Sequence, residues 1–376
     1  MRIDAHIHYM PPEIAANLAD FTRREPYWGL LTGPNSVQGW ASAEQMIDDM
    51  DAAGLDRVVV VGEYFRRHES CVARNTQAIE LTRRWPERII ALATLQPNAG
   101  PRALDELRRC VDGGLRGVGE LNPYAQGFSL AGADFLRLAE ACARAGLPLN
   151  LHTNEEVGPY YPGKSATPLR HLYALACRFP ELKLILAHWG GGLLFYEMMP
   201  RVRRRLKNVW YDTAASPLLY STRKIFPAAL HAVDHRKILY GSDYPLRLYP
   251  KKQRQPDFRP FLAAIERLEL EADVARDILG RNAARLFGLL PDDRPAPAPP
   301  DIEPVAPPAA LAGSLPVSRV AQTWPETQVV FEQFGIPWQD SPVPDWEPVA
   351  QAAAARGLSP ETLLNALNRA IDSKPN

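Results

Sequence analysis

The sequence is poor in cysteine and carries no excess of either charge. Its 376 residues include four cysteines without the Cys-x-x-Cys spacing of metal or redox motifs: Cys71, Cys110, Cys142 and Cys177. They fall in predicted helices, so the pattern favours free thiols in a reducing compartment over a disulfide framework. The 43 basic residues equal the 43 acidic ones. Without a basic excess to neutralise phosphates, we expect no nucleic-acid partner.

Long apolar runs are also missing. No run reaches the roughly 20 residues of a membrane-spanning helix, and we find no secretory signal before the first predicted strand. We therefore expect a cytoplasmic protein with no membrane partner. The length, with 46% hydrophobic residues, suffices for one large domain and a small one.

What the sequence does contain is a regular alternation of apolar and helix-like segments. The apolar segments predict eight buried strands, near 3–8, 57–62, 89–97, 116–123, 147–154, 183–190, 209–216 and 238–245. Helices are predicted near 43–53, 70–84, 133–145, 167–179 and 258–288 and from Pro101, whereas residues 9–40 read as a long irregular connection. Continuous apolar strands alternating with helices indicate a parallel sheet covered on both faces.

Eight such units favour an α/β fold of the (β/α)8 TIM-barrel type over residues 1–290. An open doubly wound sheet is the alternative. That fold would usually place a glycine-rich phosphate loop after the first strand, where this chain has His8-Tyr9-Met10-Pro11-Pro12. The barrel is therefore the preferred prediction.

The composition changes after the predicted barrel. Residues 291–316 are rich in proline and alanine, which is typical of a semi-extended linker. Residues 317–376 predict a small all-α domain, with helices near 318–334, 345–356 and 360–372.

Polar side chains converge where the strands are predicted to end. In (β/α)8 barrels the active site lies at the C-terminal ends of the strands. Four of the eight histidines and one aspartate fall there: His6, His8, His152, His188 and Asp243. Because side chains alternate along a strand, His6 and His8 point to the same side. Each residue alone could be structural, but together they predict a site for a divalent metal ion.

Several motifs in this order resemble the amidohydrolase superfamily, in particular the amidohydrolase-related group that includes aminocarboxymuconate-semialdehyde decarboxylase. They are Asp4-Ala5-His6-Ile7-His8, His152 after strand five, Ala187-His188-Trp189-Gly190-Gly191, Tyr240-Gly241-Ser242-Asp243-Tyr244-Pro245 and Gly280-Arg281-Asn282-Ala283-Ala284-Arg285-Leu286-Phe287. The resemblance covers about residues 1–290.

The resemblance implies roles for these residues. His6, His8 and His152 would ligate a divalent metal ion, with zinc as the expected element. Asp243 would ligate it too, or take the proton of its bound water. His188 would bind a second ion or polarise the substrate.

Two further carboxylates have expected roles. Glu120 ends strand four, where some relatives place a carboxylate that bridges two ions. It would either bridge two ions here or contact a ligand or the substrate, so the number of ions is one or two. Asp4 is expected to orient an imidazole ring from outside the ligand set.

Loops after the strands are expected to select the substrate. Asn154, Tyr161 and Lys164 follow strand five and are candidates for substrate binding. Arg247 follows strand eight in a basic run that would attract a carboxylate, although such runs are usually solvated loops.

Three hypotheses for the function follow. The first is a metal-dependent hydrolase that cleaves an amide, lactone or related carbonyl bond in a small molecule. The second is a metal-dependent, non-oxidative decarboxylase, and the third is a non-catalytic barrel that serves as a scaffold. We also expect a homodimer. The C-terminal segment resembles a small helical domain of unknown function, through Trp324-Pro325-Glu326-Thr327 and Phe334-Gly335-Ile336, and is interpreted as a module that binds another protein.

Overall fold

A computed structural model describes residues 1–33, 36–165, 167–291, 311, 313–338 and 347–372. The chain forms two compact units, Met1–Pro295 and Ala296–Asn376. The predicted division at 290 and 316 stays a prediction, since the linker 291–316 lies almost entirely outside the described residues.

Eight parallel strands organise the described part of the first unit. They are β1 Ile3–Ile7, β2 Arg57–Val60, β3 Ile89–Ala91, β4 Val118–Leu121, β5 Leu149–Leu151, β6 Leu184–Leu186, β7 Val209–Asp212 and β8 Ile238–Leu239. Strands β1 to β3 form one sheet and β4 to β8 form another, each in sequence order. Parallel bridges between Ile7 and Tyr244 and between Ala93 and Val118 link the edges of the two sheets. The α/β class and the parallel arrangement of the eight predicted strands are thereby confirmed.

The strands owe their burial to apolar residues on both faces. Alternate residues enter different clusters: Val58 and Val60 pack with the surrounding helices, whereas Val59 packs with Ile3 and Ile90. This is the two-sided burial that predicts near-continuous apolar strands in a parallel sheet. Because apolar residues cover both faces of the strands, polar side chains gather at the C-terminal ends of the strands.

Helices connect the strands. In the first unit they span Pro12–Ala16, Leu18–Arg24, Pro26–Leu31, Ala43–Ala53, His68–Arg84, Pro101–Asp112, Pro123–Gln126, Ala133–Arg144, Leu169–Arg178, Pro200–Arg205, Ser216–Leu219, Thr222–Ala232, Arg259–Glu266, Ala272–Arg276 and Asn282–Leu286. A π-helical turn, Asp277–Arg281, joins the last two. Shorter 3₁₀ turns lie at Pro97–Ala99, Leu193–Met198 and His235–Lys237.

One predicted segment of the first unit differs from the structure. Residues 9–40 were expected to be irregular but contain three short helices, two of which open on Pro12 and Pro26. Proline is favourable in the first helical turn because its missing N–H needs no partner there. The helices predicted near 258–288 are present as Arg259–Glu266, Ala272–Arg276 and Asn282–Leu286.

The second unit has a helical core of its own. Its described helices are Val317–Thr323, Gln328–Gln333, Val349–Ala354 and Pro360–Asp372, with a 3₁₀ turn at Pro325–Thr327. The helix predicted over 318–334 is interrupted because Pro325 disfavours helical backbone at Trp324, which has φ −126° and ψ 85°. The beginning of the predicted helix 345–356 lies outside the described residues.

Two absences complete the description. All four cysteines are free thiols. Within the described ranges, no helix is both long enough and apolar enough to cross a lipid bilayer.

Candidate metal centre

The ends of five strands bring six buried side chains into two adjacent groups. The groups that could hold a metal ion are His6 with His8 and Asp243, and Glu120 with His152 and His188. Strand β8 can approach β1 closely because Gly241 has no side chain. A Cβ atom there would lie 2.7 Å from Cβ of His6. The six ligand candidates that the sequence predicted are therefore all in one place.

The first group surrounds the end of β1. Nε2 of His8 lies 3.4 Å from Oδ1 of Asp243. Nε2 of His6 and Nε2 of His8 each lie 3.6 Å from Oε2 of Glu120.

The hydrogen bonds of His6 decide which of its nitrogens is free. Nδ1 lies 2.8 Å from Oδ2 of Asp212, and a carboxylate can only accept, so we infer that Nδ1 carries the proton. In the neutral ring Nε2 then carries the lone pair. This atom is buried and makes no hydrogen bond, as expected for a nitrogen that binds a cation.

The second group obeys the same logic. Nε2 of His152 lies 3.0 Å from the carbonyl oxygen of Gly163, and Nδ1 of His188 lies 3.0 Å from that of Ala214. Both nitrogens must therefore donate when the rings are neutral. The remaining nitrogens face each other at 3.1 Å and lie 2.9 and 3.3 Å from Oε1 of Glu120.

These atoms fit a divalent cation. Ligands that lie about 2.0–2.1 Å from a metal ion at angles near 90–110° are separated from one another by about 3.0–3.4 Å. In the second group the three separations lie between 2.9 and 3.3 Å, and all three atoms offer electron pairs. Nitrogen and carboxylate oxygen are the donors that zinc and similar ions prefer. Glu120 faces both groups, with one oxygen toward each.

The carboxylates and histidines of the centre shift one another's pKa values toward their charged forms. Burial lowers the pKa of His6, but the carboxylates of Asp212 and Glu120 outweigh burial and raise that pKa well above its usual value. Burial also opposes protonation of His188, yet Glu120 raises its pKa to about 9. Burial raises the pKa of Glu120, but the nearby His152 and His6 hold it well below the ordinary range. Carboxylates thus favour positive charge among these rings, which is the charge that a metal ion would supply.

The backbone is strained at two of the predicted catalytic residues. φ is +56° at His188, +60° at Trp189 and +67° at Asp243, a region that costs a residue with a side chain about 1–3 kcal/mol. Hydrogen bonds hold this conformation, from the backbone N–H of His188 to Asp212 (2.9 Å) and from the Trp189 indole to Ser216 (2.9 Å). Such strain is found most often at functional sites.

Three residues that contact the ligand candidates were missed in the sequence. Asp212, at the end of β7, holds His6. Glu63, after β2, has Oε1 3.3 Å from Nδ1 of His8 and 3.0 Å from Arg74. Tyr64 lies beside Glu63 and reaches the second group. They belong to no motif. Glu63 and Tyr64 directly follow the predicted strand 57–62, which was a signal available in the sequence, whereas Asp212 lay inside the predicted strand 209–216.

Asp4 has a different role from the expected one. Its Oδ1 accepts hydrogen bonds from the backbone N–H groups of His6 (3.1 Å) and Ser242 (3.0 Å). It therefore ties β1 to the segment after β8 and makes no hydrogen bond to an imidazole ring. Asp212 holds the His6 ring instead. Burial raises the pKa of Asp4 to about 7.

The loop residues predicted to bind substrate form a network with a metal-ligand candidate. Oδ1 of Asn154 lies 2.8 Å from Nε2 of His152, and its Nδ2 donates to the hydroxyl group of Tyr161 (2.9 Å). That hydroxyl group donates to Glu155 (2.9 Å), which pairs with Lys164 (3.2 Å). These contacts hold His152 in place, and a role in substrate binding stays a prediction.

Arg247 makes its hydrogen bonds to a different part of the chain. Its guanidinium group donates to the carbonyl oxygen of Ser36 (2.5 Å), and its backbone N–H donates to that of Val37 (2.9 Å). The residue therefore anchors the connection that follows β1. Its role in attracting a substrate carboxylate also stays a prediction.

Comparisons with known proteins identify a family and a relative for the first unit of the chain. Residues 3–289 match the model of a family described as amidohydrolase. A curated relative, the 2-amino-3-carboxymuconate-6-semialdehyde decarboxylase of Dictyostelium discoideum, is 23% identical over 281 residues, which are 65% of this chain and 75% of the relative.

Solved structures share the fold. The 5-carboxyvanillate decarboxylase of Sphingomonas paucimobilis is 17% identical, with a TM-score of 0.61 over 77% of this chain and 99% of that one. A dihydroxybenzoic acid decarboxylase from a Polaromonas species, solved with bound manganese and an inhibitor, is 18% identical. Its TM-score is 0.56 over 77% of this chain and 97% of that one.

Proposed function

Since the chain belongs to the amidohydrolase family, we propose that it is a metal-dependent enzyme that removes a carboxyl group, without oxidation, from a small molecule. The observation that carries the metal dependence is the convergence of buried lone pairs on both sides of Glu120, with Nε2 of His6 lacking any hydrogen bond. The choice of decarboxylation is supported by the curated relative, whose name is that of a decarboxylase and which aligns over 75% of its length.

We propose one or two divalent ions, held by the two groups. His6, His8 and Asp243 would hold one ion, and His152 and His188 another, with Glu120 between them. Zinc is the predicted element because the donors are nitrogen and carboxylate oxygen. Manganese is the alternative to test, since a structure of similar fold contains it. When bound, a divalent ion supplies positive charge that can hold the carboxylate of a substrate.

The protein's own residues would then transfer one proton to the substrate. Decarboxylation breaks the bond between the carboxyl carbon and the rest of the substrate, CO₂ leaves, and a proton takes its place on the substrate carbon. Asp243 is the group that we propose for this transfer, through Oδ2, the oxygen that faces His188 rather than His8. Oδ2 of Asp243 lies 3.8 Å from Nδ1 of His188, and both side chains are more than 90% buried, so bulk water competes little for the proton.

Hydrolysis of a lactone or amide is the second candidate. It is favoured by the position of Asp243, a buried carboxylate next to His8 that could accept a proton from an attacking water. The ligands required are the same, so only the products distinguish the two reactions.

The test compares both reactions directly. Metal-loaded protein is incubated with carboxylated aromatic compounds labelled with ¹³C in the carboxyl group, and separately with lactones and amides. We expect labelled CO₂ in a one-to-one ratio with substrate loss and, in D₂O, one deuterium in the product. The His6→Ala/His8→Ala double variant is the control and should release none. Hydrolysis products without CO₂ would contradict the proposal and favour the second candidate.

We also propose that the two sheets close into a single (β/α)8 barrel. The bridges from Ile7 to Tyr244 and from Ala93 to Val118 support closure, as does the hydrogen bond from the backbone N–H of Ala5 to Tyr240 (2.7 Å). Closure would place all strand ends on one rim, where barrel enzymes have their active sites.

A further inference from the structure

Tyr64 contacts both the carboxylate between the two groups and one of the histidines. The residue follows β2, outside every recognised motif, and its side chain is buried. Its hydroxyl oxygen lies 2.6 Å from Oε2 of Glu120 and 3.0 Å from Nδ1 of His152. A phenol has a single proton, so it can donate to only one of these atoms at a time.

The distances indicate the acceptor. The contact with Glu120 is the shorter one, and hydrogen bonds to a carboxylate are shorter and stronger than those to a neutral acceptor. The proton of Tyr64 therefore points to Oε2. This is the oxygen that lies 3.6 Å from Nε2 of both His6 and His8.

The other oxygen of Glu120 serves the second group. Oε1 lies 2.9 Å from Nδ1 of His152 and 3.3 Å from Nε2 of His188. A rotation of the carboxylate group would exchange or misplace these contacts. The hydrogen bond from Tyr64 opposes that rotation.

We propose that Tyr64 is a positioning residue of the metal centre, which fixes the Glu120 carboxylate so that one oxygen faces each ligand group. The inference rests on the proposed function in one respect, the binding of a divalent ion. It goes beyond that function in assigning the orientation of Glu120, and hence part of the metal affinity, to a residue that is not a ligand.

The surroundings of the ring allow a clean test. The Tyr64 ring packs against the rings of His152 (5.1 Å between centroids), Tyr27 (6.0 Å) and His8 (6.2 Å). Phenylalanine would keep these contacts and remove only the hydroxyl group. Tyr64→Phe therefore isolates the hydrogen bond.

The experiment is a double-mutant cycle on metal affinity. Four full-length proteins are compared: wild type, Tyr64→Phe, Glu120→Gln and the double variant. Their dissociation constants for Mn²⁺ are measured by competition with a chromophoric chelator. The melting temperatures of the metal-free proteins report on folding. We expect Tyr64→Phe to weaken binding by about 10–100-fold, as is usual when a group that orients a ligand is lost. If Tyr64 acts through Glu120, adding Tyr64→Phe to Glu120→Gln should weaken binding little further. The control is Tyr27→Phe. Tyr27 packs against Tyr64, but among the described residues it makes no hydrogen bond to any of the six ligand candidates. Its replacement should leave the affinity unchanged.

Each outcome is decisive. Unchanged affinity in Tyr64→Phe, or fully additive losses in the double variant, would overturn the positioning role while leaving the proposed function intact. A wild-type protein that binds neither Mn²⁺ nor Zn²⁺ would instead overturn the proposed function, and the inference with it. An equal loss in Tyr27→Phe would show that removing a neighbouring tyrosine hydroxyl weakens binding without any hydrogen bond to Glu120, and would likewise overturn the inference.

Discussion

Replacement of Asp212 by asparagine is expected to weaken metal binding although Asp212 is not a ligand candidate. Oδ2 of Asp212 accepts from Nδ1 of His6 at 2.8 Å. Its Oδ1 accepts from the backbone N–H groups of His188 (2.9 Å) and Ala214 (3.0 Å). The carboxylate thus fixes the ring of a residue on β1 and the backbone after β6 at the same time.

The two backbone donors determine how an asparagine would sit. Its carbonyl oxygen must take the place of Oδ1, because the reverse orientation would set an NH₂ group against two N–H groups. The NH₂ group then faces Nδ1 of His6, which must become an acceptor, so the ring proton moves to Nε2. A protonated Nε2 cannot bind a metal ion.

The size of the effect follows from this conflict. To bind metal, the variant must return the proton to Nδ1 and break the new hydrogen bond, which is worth about 1–3 kcal/mol in a buried site. Since about 1.4 kcal/mol corresponds to a tenfold change, we expect Mn²⁺ or Zn²⁺ to bind roughly 10–100-fold more weakly. This range is also the usual cost of losing a residue that orients a metal ligand.

The assay is competition with a chromophoric chelator, accompanied by thermal unfolding of the metal-free protein. Asp277→Asn is a matched control, because Oδ2 of Asp277 makes a similar contact with Nε2 of His235 (3.1 Å) and neither residue belongs to the candidate centre. It should leave metal affinity unchanged. Wild-type affinity in Asp212→Asn would refute the reasoning about the His6 tautomer.

Three further outcomes are expected. His6→Ala should lose most of the bound metal with little loss of secondary structure, as measured by elemental analysis and circular dichroism; full metal content would remove His6 from the ligand set. Asp243→Asn should lower kcat by about 100-fold or more while keeping the backbone, since asparagine tolerates the positive φ found there; near-normal turnover would mean that another group handles the proton. For Glu106, burial raises the pKa, but hydrogen bonds from Arg109 and Asn75 outweigh burial and hold the pKa below its ordinary value of 4.5. The charged carboxylate therefore stabilises the fold above pH 4.5. This contribution is lost as the pH falls through the lowered pKa. The unfolding free energy of Glu106→Gln should therefore fall short of wild type more at pH 7 than at pH 3, and a difference independent of pH would contradict this interpretation.

The fold class could be predicted because burial on two faces leaves a direct trace in the sequence. Runs such as residues 58–62 are apolar throughout, and each one overlaps an observed strand. The strands are shorter than predicted: β6 ends at Leu186 and β8 at Leu239, although the apolar segments continue. Beyond these points the backbone turns to carry His188 and Asp243, and composition does not encode that change of direction.

The ligand candidates could be predicted for a different reason. Histidines and an aspartate at successive strand ends are uncommon enough to indicate a joint role, and a parallel arrangement brings strand ends together. Asp212 ends a strand in the structure but lay inside the predicted strand 209–216, so its position did not mark it as part of the site. Its hydrogen bond to His6 joins residues 206 positions apart in the sequence, a distance at which no local pattern operates.

The residues that escaped prediction explain why the centre holds its shape. Two predicted ligands have a carboxylate from another strand end beside them: Asp212 accepts a hydrogen bond from His6, and Glu63 lies 3.3 Å from Nδ1 of His8. These partners are neither ligand candidates nor parts of a motif, yet Asp212 decides which nitrogen of the His6 ring offers its lone pair. A metal site needs that choice as much as it needs the histidines, because an imidazole with its proton on the wrong nitrogen repels the ion. The sequence therefore reveals which atoms could bind a metal, whereas only the packed strand ends bring those atoms together.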